Sequence, residues 1–158
     1  MATYYVRPDG NNANTGLGTS TALAWQTLQK ALGATGIASG DIVYVAPGHY
    51  NETVTVGGTY SAETQIIGDP TASQFSGVNA GYVKHSQFAS AGTAAPTITS
   101  LISSTGKSNL HFKNIYFEMG TNGSAVIINI VTAQNTKFTS CVFYNYLYFA
   151  DCYRKHNL

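Results

Sequence analysis

The sequence predicts an all-β protein built as a parallel β-solenoid, in which the chain winds into coils that stack along one axis. Three observations indicate this class: many short β-prone runs separated by turn residues, the repetition of one run 26 positions further on, and a single amphipathic helical segment near the start. A stack of coils exposes apolar core at its ends, so a terminal cap is required. We expect the helical segment to supply that cap.

The composition narrows the class of protein and its partners. The chain has 158 residues, enough for one domain with its own core. Charged residues make up 9% of it, far below the usual value of about 25%. A net charge of +1 gives no electrostatic reason to expect nucleic acid or an anionic membrane as a partner. No apolar run is long enough to predict a transmembrane helix.

The helical segment is "STALAWQTLQKALGATG", residues 20–36. Trp25, Leu28 and Leu32 recur at helical spacing and predict one apolar face. The Ser-Thr pair at its start suits an N-cap, and Gly33 stands where a terminal glycine would end the helix. A short amphipathic helix of this kind needs an apolar surface to lie on.

Short β-prone runs follow the helix. The first three lie at 42–45, 53–56 and 65–67, and further runs return after residue 97: "TITSLI", "NLHFKNIYF", "AVIINIV", "TKFTSCVF" and "YLYF". Asn122-Gly123 is a candidate turn between two of them. We divide the single predicted domain into an N-terminal strand, loop and cap (1–40), first coils (41–68), a loop or insertion (69–96) and further coils (97–158).

The repeat is the most informative feature of the chain. Two runs, "NLHFKNIYF" and "NTKFTSCVF", match 26 positions apart at three pairs: Asn109 with Asn135, Phe112 with Phe138, and Phe117 with Phe143. Ile42 and Ile66 show a similar spacing of 24. A period in the twenties is typical of one solenoid coil, and the paired asparagines predict a ladder at a turn. On the repeat alone, a β-sandwich remains the alternative.

The first 70 residues resemble a known family, and the resemblance covers about half of the chain. "YYVRPDGNNANTG" (4–16), "AWQTLQKAL" (24–32) and "GDIVYVAPGHYNETVTV" (40–56) resemble the N-terminal cap and first coil of right-handed parallel β-helix proteins of the pectate-lyase-like superfamily, which includes phage tailspikes. The resemblance implies a short right-handed parallel β-helix with an N-terminal amphipathic capping helix. It assigns structural roles at the cap and first coil to Trp25, Leu28, Leu32, Asp41, Pro47 and Gly48. Lyases, hydrolases, adhesins and tailspikes share this fold, so it names no single function.

The acidic residues give little support for catalysis. The resemblance implies that lyases of this fold use clustered acids with Ca²⁺ and a basic residue, while hydrolases use two or three close carboxylates. No two acids of this chain lie one coil apart, where they would stack on one face: Asp9, Asp41, Glu52, Glu63, Asp69, Glu118 and Asp151. We therefore expect no catalytic residues and favour a protein that is not an enzyme, with the enzymatic alternative left open.

The sequence gives equally little support for a metal site or for a disulfide. In "DGNNANTG", Asp9 and Asn11 suit the first two oxygen positions of an EF-hand, but an alanine stands where the third ligand would be. We predict a turn-rich loop and no cofactor, with calcium as the alternative. The four histidines have no second ligand at metal-binding spacing. Cys141 and Cys152 fit no disulfide framework, and we expect free, partly buried thiols.

Aromatic residues are the candidates for an interface. Tyr144, Tyr146 and Tyr148 alternate, so they would share one face of a strand. Tyr82 and His85 lie in the segment expected to be a loop, where binding residues often occur. Aromatic rows stack on sugar rings, form protein interfaces or cover the last coil. These five residues are our candidate glycan or protein interface.

The favoured function is a structural or adhesive module of a bacteriophage virion, as a tail, spike or capsid-decorating component. The N-terminus "MATYYVRPDG" lacks the features of a secretory signal, and virion proteins are released by lysis without one. The C-terminal run offers no second cap, so we expect a homo-oligomer such as a trimer, or contact with other virion proteins, with a surface polysaccharide as ligand. The alternatives are a carbohydrate-binding module, a polysaccharide lyase or hydrolase, and a secreted, extracellular bacterial adhesin.

Overall fold

The computed structural model describes residues 1–88, 100–120 and 126–145. These ranges contain one short helix and twelve strands: β1 (Thr3–Val6), α1 (Leu28–Leu32), β2 (Ile42–Val45), β3 (Gly48–Asn51), β4 (Val54–Thr55), β5 (Thr64–Gly68), β6 (Val83–Phe88), β7 (Ser100–Ser103), β8 (Leu110–Lys113), β9 (Tyr116–Gly120), β10 (Val126–Asn129), β11 (Lys137–Thr139) and β12 (Val142–Asn145). In this part of the chain no helix has the length and apolar character needed to cross a membrane.

The strands form three parallel sheets. The first sheet has the order β1-β2-β5-β8-β11, the second β3-β6-β9-β12, and the third β4-β7-β10. Every pairing between the described strands is parallel. Successive strands visit the three sheets in turn, so that β2, β3 and β4 form one coil and β5, β6 and β7 form the next. This is the predicted parallel β-helix, and it excludes a β-sandwich, whose sheets are antiparallel.

The repeat of 26 residues is confirmed in three dimensions. Phe112 aligns with Phe138, and Phe117 aligns with Phe143. The first pair stacks with ring centroids 5.3 Å apart, and the second with centroids 5.2 Å apart. These rungs extend a continuous core, in which Phe112 and Phe117 are at most 1% exposed.

The predicted asparagine ladder is also present. Asn135 Nδ2 donates to Asn109 Oδ1 at 3.0 Å, and Asn109 Nδ2 donates to the Tyr60 carbonyl at 2.8 Å. Both asparagines have a left-handed backbone, with φ values of 56° and 60°, a conformation that asparagine tolerates better than most residues. The ladder therefore fixes the same turn in consecutive coils.

The spacing predicted from Ile42 and Ile66 is wrong by one residue. Ile42 aligns with Gln65, and Ile66 aligns with Val43. Side chains of a strand alternate between faces, so a shift of one position exchanges inside for outside. Val43 and Ile66 are both fully buried, and this inward pair, not the two isoleucines, marks the coil repeat.

The N-terminal cap contains less helix than predicted. β1 pairs with β2 beside the first coil, while α1 covers only Leu28–Leu32 and begins after Thr27, whose Oγ1 accepts from the Lys30 amide at 3.0 Å. Trp25 lies outside the helix because its backbone N–H and C=O bond to Tyr5 and Arg7, next to β1. Leu28 and Leu32 are buried, as is Trp25, which is 4% exposed.

Asp41 and Gly48 hold the corners of the first coil. Asp41 is 4% exposed, and its two oxygens accept from the amides of Ala2 at 2.6 Å and Ala38 at 2.9 Å. Gly48 has φ of 146° and lies directly against Pro8, whose ring an added Cβ would overlap. Only glycine fits such a backbone at so close an approach. Pro47, the second of the two residues between strands β2 and β3, is buried.

Strand β6 corrects the prediction of a loop or insertion over 69–96. Its sequence, "VKHSQF", shows no apolar alternation because His85 occupies an inward position next to Val83. The runs "NLHFKNIYF" and "TKFTSCVF" each form two strands, broken at Asn114 and Ser140, which have φ of 55° and 53°. The predictions at Asn122-Gly123 and "YLYF", and those for Tyr146, Tyr148, Asp151 and Cys152, lie outside the described residues.

Candidate functional site

The outer side of the second sheet carries an unusual set of side chains. Because strand residues alternate between the two faces, the neighbours of the inward ladder Tyr50–His85–Phe117–Phe143 lie on the outside. Two outward rows run across the coils, His49–Lys84–Tyr116–Val142 and Asn51–Ser86–Glu118–Tyr144. We call these eight residues, together with Tyr82 immediately before β6, the second-sheet face.

Three tyrosines of this face come from three successive coils and form a diagonal row, each shifted by two residues along the strand from the one before. Tyr82 is 76% exposed and Tyr144 is 39% exposed. Tyr116 lies between them, with ring centroids 6.0 Å from Tyr82 and 6.5 Å from Tyr144. We call these three residues the tyrosine row. The structure thus brings together two of the predicted interface residues through a third, Tyr116, which the sequence interpretation missed.

An ion pair lies beside the tyrosine row. Lys84 Nζ is 2.8 Å from Glu118 Oε2, and the Glu118 side chain is only 4% exposed. The same ammonium group is 5.4 Å from the centroid of the Tyr116 ring, a cation–π distance. A buried carboxylate needs such a partner, because desolvation without one is strongly unfavourable. The pair therefore joins β6 to β9 and holds Tyr116 in place.

His49 and Ser86 form a second polar contact on this face, between the imidazole Nε2 and the hydroxyl Oγ. A histidine beside a serine hydroxyl is the arrangement that activates serine nucleophiles. Here Ser86 has no exposed surface, so its hydroxyl is sealed from solvent while His49 is exposed. The contact ties β3 to β6 and leaves no accessible nucleophile.

A pocket of about 290 Å³ adjoins the face at its N-terminal end, and its lining includes His49, Asn51 and Glu52. The Glu52 carboxylate accepts from the amides of Leu28 at 2.8 Å and Gln29 at 3.0 Å. Burial raises the pKa of Glu52, and the two amide hydrogen bonds oppose that rise. The carboxylate is therefore occupied in holding the start of α1 against the first coil.

His85 belongs to the core, which corrects its placement in an exposed interface. It is fully buried between Tyr50 and Phe117. Its Nε2 donates to the Glu52 carbonyl at 2.9 Å, while Nδ1 is buried without a hydrogen-bond partner in the described part of the chain. Burial lowers the pKa of His85 to about 4, so the imidazole is neutral at neutral pH.

The loop considered for calcium uses its oxygens internally. Asp9 accepts from Arg7 through both carboxylate oxygens, at 2.6 and 2.9 Å, and this contact lowers the pKa of Asp9. Asn11 Oδ1 accepts from the Ala13 amide at 2.9 Å. Within residues 1–88, 100–120 and 126–145, no three His, Cys, Asp or Glu side chains gather closely enough to hold a metal ion. Cys141, half-buried, is a free thiol whose pKa burial raises.

The described acids do not form a catalytic pair on the second-sheet face. Glycoside hydrolysis generally requires two carboxyl groups flanking the scissile bond. Among the described carboxylates, Glu118 is the one on this face, and Glu52 in the adjoining pocket is engaged by helix amides. Glu63 lies at the first sheet, bound to His111 at 3.0 Å and to Lys137 at 2.7 Å, and the hydrogen bond from Lys137 is the main cause that lowers its pKa to about 2.

Comparison with known proteins places the chain in a family. A family model described as "Rhamnogalacturonase A/epimerase, pectate lyase-like" matches residues 17–156. No curated protein and no solved structure matches the chain. The matched range covers most of the chain and agrees with its three parallel sheets. The chain therefore belongs to the pectate-lyase-like family of rhamnogalacturonase A and epimerases.

Proposed function

We propose that this protein is a non-enzymatic, polysaccharide-binding β-helix module with a structural or adhesive role. The observation that carries the proposal is the tyrosine row. Tyr82 offers an aromatic ring that is 76% exposed, and Tyr116 and Tyr144 follow it diagonally across the next two coils. Tyrosine combines an apolar ring with a polar hydroxyl, which suits the mixed surface of a sugar. A row of rings that crosses three coils suits an extended polymer.

Two features of the face support binding without turnover. Lys84, the basic residue next to the row, is engaged by Glu118 at 2.8 Å. Ser86, the hydroxyl next to a histidine, has no exposed surface. A general base or nucleophile must reach the reacting atom. Ser86 is not placed to do so, and Lys84, whose side chain is 36% exposed, would first have to leave Glu118.

A substitution of Tyr82 by alanine tests the proposal. We expect binding of a recognised polysaccharide, measured by affinity electrophoresis, to weaken about fivefold, because an aromatic contact contributes about 1 kcal/mol. The melting temperature should not change, since the side chain is 76% exposed. Tyr44→Ala, on the outer side of the first sheet, is the matched control and should bind like the wild type.

Equal binding by Tyr82→Ala and the wild type would refute the role of the tyrosine row. The second candidate function is a polysaccharide lyase or hydrolase, which the presence of Glu118 and Lys84 beside the tyrosine row favours. The length of the polymer after incubation separates the two functions. Shortening that is lost in Glu118→Gln would replace the non-enzymatic proposal by the enzymatic one.

We also propose that the protein acts in a virion, as a homo-oligomer or with other virion proteins. The last described coils expose apolar side chains that suit a partner: Ile130 at 38%, Val131 at 47%, Val142 at 48% and Phe143 at 46%. Native mass spectrometry should give a mass that is a multiple of 16.8 kDa, a trimer being the expected state. A purely monomeric mass, together with absence from purified particles and presence at a bacterial surface, would favour the adhesin alternative.

A further inference from the structure

We infer that the second-sheet face is specific for uncharged polysaccharides and discriminates against polyuronates, the acidic polymers built from sugar carboxylates. This inference rests on the proposed function and adds the chemical class of the ligand. It follows from where the described cations lie, from the burial of Glu118, and from the neutral groups of the tyrosine row.

The first step is the distribution of positive charge. Among the described lysines and arginines, Lys84 is the one that lies on the second-sheet face. The others make their contacts elsewhere: Arg7 with Asp9, Lys30 with Trp25, Lys107 with Thr59, Lys113 with Gln65 and Lys137 with Glu63. The charges of Lys84 and Glu118 cancel, so the lysine and carboxylate groups of the face have no net charge.

The second step is that Lys84, whose side chain is 36% exposed, can bind an acidic ligand only by giving up its pair with Glu118. A uronate carboxylate that took the ammonium group from Glu118 would leave Glu118, only 4% exposed, without its counter-ion. Removing one partner of a buried ion pair is strongly unfavourable. The incoming carboxylate would also lie close to Glu118, and like charges in a partly dry site repel each other. Both effects act against an anionic polymer.

The third step is that the remaining groups suit neutral sugars. Tyr82 presents an exposed ring, and the phenol hydroxyls of the tyrosine row are neutral donors and acceptors. The sugar hydroxyls of an uncharged polymer are of the same kind. Such binding should depend little on ionic strength, because salt screens interactions between charges.

The wild-type protein provides the first test, by affinity electrophoresis with dextran, galactan, mannan and polygalacturonate. We expect binding to at least one neutral polymer and binding to polygalacturonate that is at least about tenfold weaker, as like-charge repulsion predicts. Raising the salt from about 50 to about 500 mM should change the neutral affinity less than about twofold.

The second test is a gain of function. Glu118→Gln keeps the shape of the side chain and releases the Lys84 ammonium, so we expect polygalacturonate binding to strengthen about fivefold or more and to disappear at high salt. Glu63→Gln is the matched control: it releases Lys137, whose pair lies at the first sheet, and should produce no gain. Circular dichroism confirms that both variants are folded.

The outcomes separate the inference from the function on which it rests. Wild-type binding that is tighter to polygalacturonate than to every neutral polymer would overturn the inference and leave the polysaccharide-binding function standing. A folded Glu118→Gln variant without any gain would overturn the part assigned to the ion pair. Failure of the wild type to bind any of the four polymers would overturn the proposed function, and the inference with it.

Discussion

Lowering the pH from 6.5 to 4 is expected to reduce the free energy of unfolding by about 3 kcal/mol through His85 alone. This histidine is fully buried, and burial lowers its pKa from the ordinary value of 6.5 to about 4. Each unit of difference between the folded and unfolded pKa corresponds to about 1.4 kcal/mol. The unsatisfied Nδ1 has no partner among the described residues to stabilise a charged ring.

The sign follows from which state binds the proton. Above pH 6.5 His85 is neutral in both states and contributes no pH dependence. Between pH 6.5 and 4 the histidine is protonated in the unfolded chain but stays neutral in the folded core, so the free energy of unfolding falls as the pH falls. The pKa of Glu52 is raised in the fold, so its protonation adds stability as the pH falls. The pKa values of Asp9, Glu63 and Asp69 are lowered, so their protonation at still lower pH reduces the free energy of unfolding.

Urea unfolding at pH 7 and pH 4 measures the effect. We compare the wild type with His85→Leu, which fills the same inward position without titrating. The wild type should lose about 3 kcal/mol more than this variant between the two pH values. His111→Leu, which removes a histidine bound to Glu63 at the first sheet, should keep the wild-type dependence. If His85→Leu and the wild type lose equal stability, His85 is not the acid-sensitive group.

Truncating Phe117 is expected to lower the free energy of unfolding by about 4 kcal/mol, the largest effect of any single substitution considered for this chain. The ring is fully buried. It contacts His85 and Phe112 at 6.0 Å, Phe138 at 6.3 Å and Phe143 at 5.2 Å, measured between centroids. Alanine would open a cavity that four rings on neighbouring strands line, and rigid strand pairing prevents them from closing it.

Chemical denaturation at pH 7 checks this value, and Phe143→Ala is the matched control. Phe143 occupies the next rung of the same ladder but is 46% exposed, so its removal should cost about 1 kcal/mol, in proportion to the smaller area it buries. Similar losses for the two variants would show that Phe117 does not lie in a closely packed core.

The coil repeat was predictable where its constraints are visible in the residue types. Asn109 and Asn135 repeat because each occupies a left-handed turn and the two form a hydrogen bond. Phe112 and Phe138 repeat because they share an inward position. Strand β6 was not predictable, since His85 takes the inward place of an apolar residue and its Nε2 bonds to a carbonyl group distant in sequence.

Prediction of the helix and of the site from the sequence has the same limit, because both depend on tertiary contacts. Trp25 has helical spacing relative to Leu28, but its backbone bonds to β1, a tertiary contact that no local pattern contains. Lys84 and Glu118 meet because residues 84 and 116 align across coils, a spacing of 32 that differs from the period of 26. Tyr116 aligns with Val142 in that period, so the repeat gave no indication of the tyrosine row.

The register that the asparagine ladder and the aligned rungs maintain also determines the length of the molecule. From Phe112 to Phe138 the coil takes 26 residues, whereas from Ile66 to Phe112 it takes 46, and the rungs still align. Extra residues lie between strands and do not disturb the stacking, so only the number of coils sets the length of the rod, at about 4.8 Å per coil. Duplication of residues 109–134 would therefore lengthen the molecule by one step and leave the older rungs unchanged, a simple route by which such rods can grow during evolution.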